Sequence, residues 1–233
     1  MNIIRHIPNT LTCLNLISGM AGIYFVLEGH IYYGAYFILL AAFFDFFDGF
    51  AARMLKVSSD IGKELDSLAD LVTFGVLPAF IIFKMMMDIN NESYLPFITF
   101  LIGVFSAIRL AKFNVDTRQT ERFIGLPTPA NALLLSALPF TALHVEWVAD
   151  LLINNYFLAG LSVVMSLLLV AEIPLIALKF KNFGVKDNIY RYLVLLISIV
   201  SVLWLGLGGI PLVIISYVGL SLIENAILKN TQG

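Results

Sequence analysis

Cysteine, histidine and charge are scarce in this chain, and each shortage removes a class of function. The single Cys13 excludes an internal disulfide and any multi-thiolate metal centre. Its place in an apolar run reads as an inert buried thiol. The three histidines, His6, His30 and His144, are scattered, with no zinc-ligand spacing, and read as interfacial residues. Charged residues make up only 13% of the 233, against 60% hydrophobic, and the net charge is -2. No basic field for nucleic acid exists. With a mean hydropathy of +0.92 the chain falls outside soluble usage and reads as an integral membrane protein. Internal repeats and low-complexity linkers are also lacking, so residues 1–233 read as a single domain.

What is plentiful is long apolar sequence. A bilayer crossing takes about 20 such residues, and eight runs are candidates: about 11–28, 32–53, 62–87, 94–113, 127–145, 152–178, 190–207 and 210–228. An all-α bundle of eight transmembrane helices is expected, because backbone groups in hydrocarbon must find partners within their own segment. The alternation of a membrane barrel is absent. No small-residue cleavage pattern follows Arg5, so the first span is expected to remain in the mature chain. Arg5, Arg53, Lys56, Lys63, Arg109, Lys112, Arg118, Arg122, Lys179, Lys181, Lys186, Arg191 and Lys229 all fall on one side of this topology, leaving Lys84 opposite. That bias predicts cytoplasmic termini and a cytoplasmic connection between the second and third spans, in the plasma (inner) membrane.

That connection, DFFDGFAARMLKVSSDIGKELDSLAD, places Asp45, Asp48, Asp66 and Asp70 beside apolar spans. Spacings of three and four put each pair on one helix face. A short turn around Met54 to Ile61 would fold the spans into a hairpin and bring the pairs together. An ionised aspartate within a membrane helix costs about 3 kcal/mol, and repulsion among four adds to it. Arg53 and Lys63 supply two charges against four. Divalent cations with a preference for oxygen ligands fit better, Mg²⁺ or Mn²⁺ before zinc. Four carboxylates can bridge two such ions about 4 Å apart, an arrangement suited to phosphoryl displacement. Gly49 and Gly62 leave room for a ligand near the backbone, Arg53 offers a bidentate fork and Lys63 a point charge. A proton or divalent-cation transport path is the rival from another class; transport acids usually lie near the midplane, whereas these cluster at one face. A structural scaffold would tolerate loss of any one aspartate.

Asp45-x-x-Asp48-Gly49-x-x-Ala52-Arg53, eight residues, then Gly62-x-x-x-Asp66-x-x-x-Asp70 resembles the signature of the CDP-alcohol phosphatidyltransferases at every fixed position. The resemblance implies transfer of a phosphatidyl group from a CDP-linked lipid to an alcohol, with release of CMP. It implies that Asp45, Asp48 and Asp66 bind a metal pair and that Asp70 contacts one metal and serves as general base. Gly49, Arg53, Ser59 and Gly62 would line the CDP site. Ile7 to Asn15 resembles the family's leading segment, a short interfacial helix running into the first span, which offers Asn9, Thr12 and Asn15 to the nucleotide. Equally, Pro8 starts a helix there and Asn9 and Thr12 satisfy its terminal amides. The family often dimerises.

Arg109-Leu110-Ala111-Lys112-Phe113-Asn114 and Phe123-Ile124-Gly125-Leu126-Pro127-Thr128-Pro129-Ala130 look like the branch of this family that uses serine. CDP-diacylglycerol, L-serine and membrane lipid are the partners this implies. Arg109 would pair with the serine carboxylate and Asn114 would donate to it or orient a neighbour. Glycerol 3-phosphate or inositol is the alternative acceptor. Lys112, Arg118 and Arg122 read as positive-inside anchors. The resemblance covers roughly residues 1 to 140; the family core of six spans would end near 185, making the helices of about 190–228 an addition. Glu172 and Glu224 lie inside late spans, where pairing within the bundle or lining a cavity is expected.

Overall fold

The structure, a computed structural model, describes residues 6–57, 59–115, 123–176, 184–185 and 188–232. Arg5, Arg118, Arg122, Lys179, Lys181 and Lys186 of the charge argument lie outside the described residues. Helix α1 spans Ile7–Leu27 and α2 Ile31–Leu55. The third span is composite: α3, Asp60–Asp70, passes through a π-helical turn, Leu71–Val76, into α4, Leu77–Ile89. A 3-10 turn at Leu95–Thr99 leads into α5, Phe100–Val115. Next come α6, Thr128–Ala142, the short α7, Glu146–Leu152, and α8, Asn155–Val170. Helices α9, Ile189–Leu205, and α10, Ile210–Gln232, complete the chain.

The all-α membrane bundle is as expected. Among the described residues five stretches are long and apolar enough to cross a bilayer, or six when α6 and α7, bent by 117° at their junction, count as one. The last of the five, Ile189–Ile227, is two of the expected crossings joined. It folds back at the 3-10 turn Gly206–Gly209, where Gly209 lies so near the Ser201 carbonyl that a Cβ would stand 2.3 Å from its oxygen. Two other expectations are corrected. The span of 152–178 is shorter: α8 has 16 residues, about 24 Å of helix, and Pro174–Leu175 forms strand β2 instead. The leading segment is not a separate interfacial helix among the described residues; it is the first turns of α1, with Pro8 in the opening turn.

Small residues set the packing. Ser18, Gly19 and Gly22 are buried on α1, which packs on α2, α3 and α4; such residues let membrane helices approach closely. Phe74, Leu77, Ile81, Ile82 and Met86 of the third span form the core of the bundle. Cys13 is exposed on α1, which corrects the buried reading: it lies on the outward face, whereas Thr12 and Asn15 point inward.

Two ends can be told apart by their contacts. At one, Lys63 at the start of α3 reaches the backbone of Asn114 at the end of α5. Strand β1, Phe123–Ile124, pairs antiparallel with β2, and Asn225 of α10 donates to the Pro174 carbonyl. At the other end Tyr32 and Tyr36 pack on Phe140, and Thr141 donates to the Gly208 carbonyl at 2.8 Å. Lys84 pairs there with Asp88. The Glu224 carboxylate stands 3.9 Å from Arg191 across α9 and α10, so that intramembrane acid has the bundle partner expected for it.

Candidate active site

Ser59 caps α3: its Oγ accepts from the Gly62 amide at 3.0 Å, and Lys56 turns the chain out of α2 in the left-handed region. The predicted turn between the second and third spans is therefore real. Yet α2 and α3 make little direct contact; α1 packs on both and holds them. Across this arrangement Asp45 and Asp48 of α2 meet Asp66 of α3, each presenting a carboxylate oxygen within 4.8 Å of the others. Asp48 is buried; Asp45, Asp66 and Asp70 are half-buried. Asp70 stands beside the trio, close enough to Asp45 and Asp66 to feel their charges.

Helix α1 supplies hydrogen bonds to the cluster. Thr12 Oγ1 donates to Asp48 Oδ2 at 2.8 Å, and Asn15 Nδ2 donates to Asp70 Oδ1 at 3.2 Å. The α1 N-terminus has no side-chain cap, so Thr12 is engaged with the aspartates and not with terminal amides. Among the described residues no Lys or Arg forms an ion pair with any of the four carboxylates, and Asp66 Oδ1 is buried without a partner. Lys63 Nζ is instead 3.0 Å from the Asn114 carbonyl. Converging oxygens, one of them orphaned, with no ion-paired Lys or Arg among the described residues, are the donor set of a hard divalent ion, and the site fits one.

Next to the cluster opens a cavity of about 590 Å³, lined by Asn9, Thr12, Asp48, Gly49, Ser59, Gly62, Lys63 and Asp66 together with Pro8, Ala52, Lys56 and Val57. That volume is in the range of small-molecule sites. At Gly62 a Cβ would lie 3.0 Å from both Asn9 Oδ1 and Ser59 Oγ. At Gly49 it would lie 3.4 Å from Arg53 Nη1, so the guanidinium folds over the glycine. Six of the residues singled out for the lipid nucleotide thus line one space, with Arg53 folded over Gly49 beside it and Asn15 against Asp70. Lys56 is an addition that the sequence reading left among the anchoring charges.

The acceptor candidates separate. Five residues apart on a helix, Arg109 and Asn114 differ in direction by about 140°. Asn114 Nδ2 donates to Ser67 Oγ at 2.9 Å, tying α5 to α3. Arg109 is buried, with Nη1 3.5 Å from Thr128 Oγ1 on α6, its charge within reach of Asp70 and its guanidinium 5.9 Å above the Phe113 ring. Thr128 belongs to the second motif quoted from the sequence, whereas Ser106, one turn from Arg109, and Asn131, one turn from Thr128, are buried polar residues that went unremarked there; their one available signal was a polar side chain inside an apolar span.

Comparison with known proteins agrees with this geometry. Residues 5–204 match the model of the CDP-alcohol phosphatidyltransferase family. The chain is 40% identical over 141 residues to a CDP-diacylglycerol–serine O-phosphatidyltransferase of Bacillus subtilis (strain 168), covering 59% of this chain and 77% of that protein. It is 34% identical over 199 residues, 84% of each chain, to a protein of the same name from Methanocaldococcus jannaschii. An archaetidylserine synthase of Methanothermobacter thermautotrophicus is 35% identical over 143 residues, 60% of each chain.

Proposed function

This chain belongs to the CDP-alcohol phosphatidyltransferase family, and from that premise we propose that it transfers the phosphatidyl group of CDP-diacylglycerol to the hydroxyl of L-serine, giving phosphatidylserine and CMP. The observation that carries the reading is the trio of carboxylates from two helices, within 4.8 Å of one another, at the wall of a cavity lined by the other motif residues. The names of the relatives support serine as acceptor.

In this reading Asp45, Asp48, Asp66 and Asp70 hold two divalent cations, Mg²⁺ or Mn²⁺. Such ions, when bound, supply charge stabilisation for a pyrophosphate and its displacement. Thr12 and Asn15 fix the carboxylates of Asp48 and Asp70 through the hydrogen bonds described above. Asn9, Gly49, Ser59 and Gly62 shape the nucleotide cavity, and Arg53 and Lys63 neutralise phosphate charge from its rim. Asp70 takes the proton from the serine hydroxyl as its oxygen bonds to the phosphorus that carries diacylglycerol. The bond from that phosphorus to the bridging oxygen breaks, and CMP departs. Arg109 pairs with the serine carboxylate, and Asn114 braces Ser67 and the α3 turn that carries Asp66.

The active site and both termini face the cytoplasm of the plasma (inner) membrane in this account, the chain acts as one domain with α9 and α10 added to a core ending near residue 185, and it works as a homodimer. The test is CMP release by purified protein with Mn²⁺ or Mg²⁺, labelled CDP-diacylglycerol and one acceptor at a time. Release with L-serine but not with glycerol 3-phosphate or inositol is expected; release with another of these and not serine would overturn the acceptor.

A further inference from the structure

Two single-turn pairs of polar residues, one on α5 and one on α6, flank the π-helical turn that follows Asp70. Ser106 and Arg109 are three apart on α5, and Thr128 and Asn131 are three apart on α6, so each pair shares a helix face. The contact of Arg109 Nη1 with Thr128 Oγ1 at 3.5 Å links the two pairs. Both elements pack on the π-helical turn that follows Asp70. Ser106 touches it at Gly75, where a Cβ would come within 2.8 Å of the serine's own.

These side chains are cut off from solvent and still lack partners. Ser106 and Asn131 are 0% exposed and Arg109 is 8% exposed. Among the described residues Ser106 Oγ, Arg109 Nε and both polar atoms of Asn131 have no hydrogen-bond partner. Buried polar groups are almost always paired, and a group left unpaired is destabilising. Four such atoms, one on the guanidinium itself and the others one helical turn from Arg109 or from its contact Thr128, therefore point to a ligand.

The inventory of the atoms selects its class. Arg109 contributes one positive charge and one free donor, Asn131 a donor and an acceptor, and Ser106 a hydroxyl that does either. A zwitterion bearing one carboxylate and one ammonium matches that set. A phosphate dianion would meet only one cation, and an uncharged polyol would leave the guanidinium without a counter-charge. Resting on the serine reading above, we infer that Asn131 and Ser106 are the residues that select a small hydroxy amino acid. Asn131 Nδ2 joins Arg109 at the carboxylate, and Asn131 Oδ1 with Ser106 Oγ receives the ammonium. The substrate hydroxyl is thereby left toward Asp70.

Asn131→Leu and Ser106→Ala in the full chain test this by rates and by melting temperature. With CDP-diacylglycerol and Mn²⁺ held fixed, the KM for L-serine should rise about tenfold or more, as expected when a substrate's polar partner is removed. The KM for CDP-diacylglycerol should stay within about twofold. Without substrate, Asn131→Leu should melt no lower than the parent, because it removes unpaired polar atoms from the interior. Added L-serine should raise the melting temperature of the parent and not of Asn131→Leu. Unchanged KM for L-serine in both variants overturns the assignment, as does an Asn131→Leu protein that melts lower yet keeps its full response to L-serine. A parent protein that is inactive with L-serine but active with another acceptor defeats the serine reading itself, which is a different result from an active parent with indifferent variants.

Discussion

At the scale of single residues, Thr12 and Asn15 lie one turn apart on α1 and each donates to a different aspartate. A helix outside the motif therefore orients two of its four carboxylates. Thr12→Val keeps the shape and removes the donor to Asp48; the Mn²⁺ concentration for half-maximal activity should rise about tenfold, as for lost support of a metal ligand, and a metal titration of the rate reads it. Asp70→Asn should lower kcat by a factor of about 10² to 10⁴ while thermal-shift measurements still detect CDP-diacylglycerol binding; undiminished kcat would remove Asp70 from the role of base. The aspartates were legible because their spacing is a property of one short stretch. Ser106 and Asn131 were not, since what marks them is the lack of a partner once α5 and α6 have packed on the π-helical turn, and no local pattern records that. Arg109 and Asn114 read as a pair in the linear motif, and helix geometry alone separates their directions.

Among the elements, the π-helical turn Leu71–Val76 is the one that the sequence conceals. An apolar run of this kind shows helix and not the hydrogen-bond register within it. A π turn amounts to one residue inserted into an α-helix, so it rotates Asp66 and Asp70 relative to the buried face of α4 by about 100°. Deleting Val72 should restore an unbroken α-helix, preserve helical circular dichroism and abolish CMP release; retained activity would show that this register is irrelevant to the carboxylates. Gly125 holds a second constraint. It adopts a φ of 78°, and a Cβ there would stand 2.8 Å from the Leu169 carbonyl oxygen, at the point where β1 leads into α6 beneath Thr128. Gly125→Ala should cost about 1–3 kcal/mol of stability, seen as a lower melting temperature. Helix existence was readable from hydropathy throughout, whereas the short α8 and the bend between α6 and α7 were not, because end positions depend on packing that hydropathy does not report.

For the molecule as a whole, the contacts divide the bundle into an end that carries the carboxylates and an end that carries Lys84, in keeping with the distribution of positive charge along the sequence. In a Cys13→Ser background, a water-soluble maleimide added outside intact cells should label Asn91→Cys and leave Glu64→Cys unlabelled until the membrane is permeabilised; the reverse pattern would invert the topology. How so apolar a protein tolerates four aspartates has its answer at this scale too. Among the described residues the bundle gives them no ion-pair partner and leaves a buried oxygen of Asp66 bare, a shortfall that a divalent cation would relieve. Anomalous diffraction from crystals grown with Mn²⁺ and CDP-diacylglycerol addresses that most directly. Two manganese peaks about 4 Å apart, ligated by Asp45, Asp48, Asp66 and Asp70 and in contact with the pyrophosphate, are the predicted result; carboxylates free of manganese while the nucleotide lies elsewhere would contradict the account.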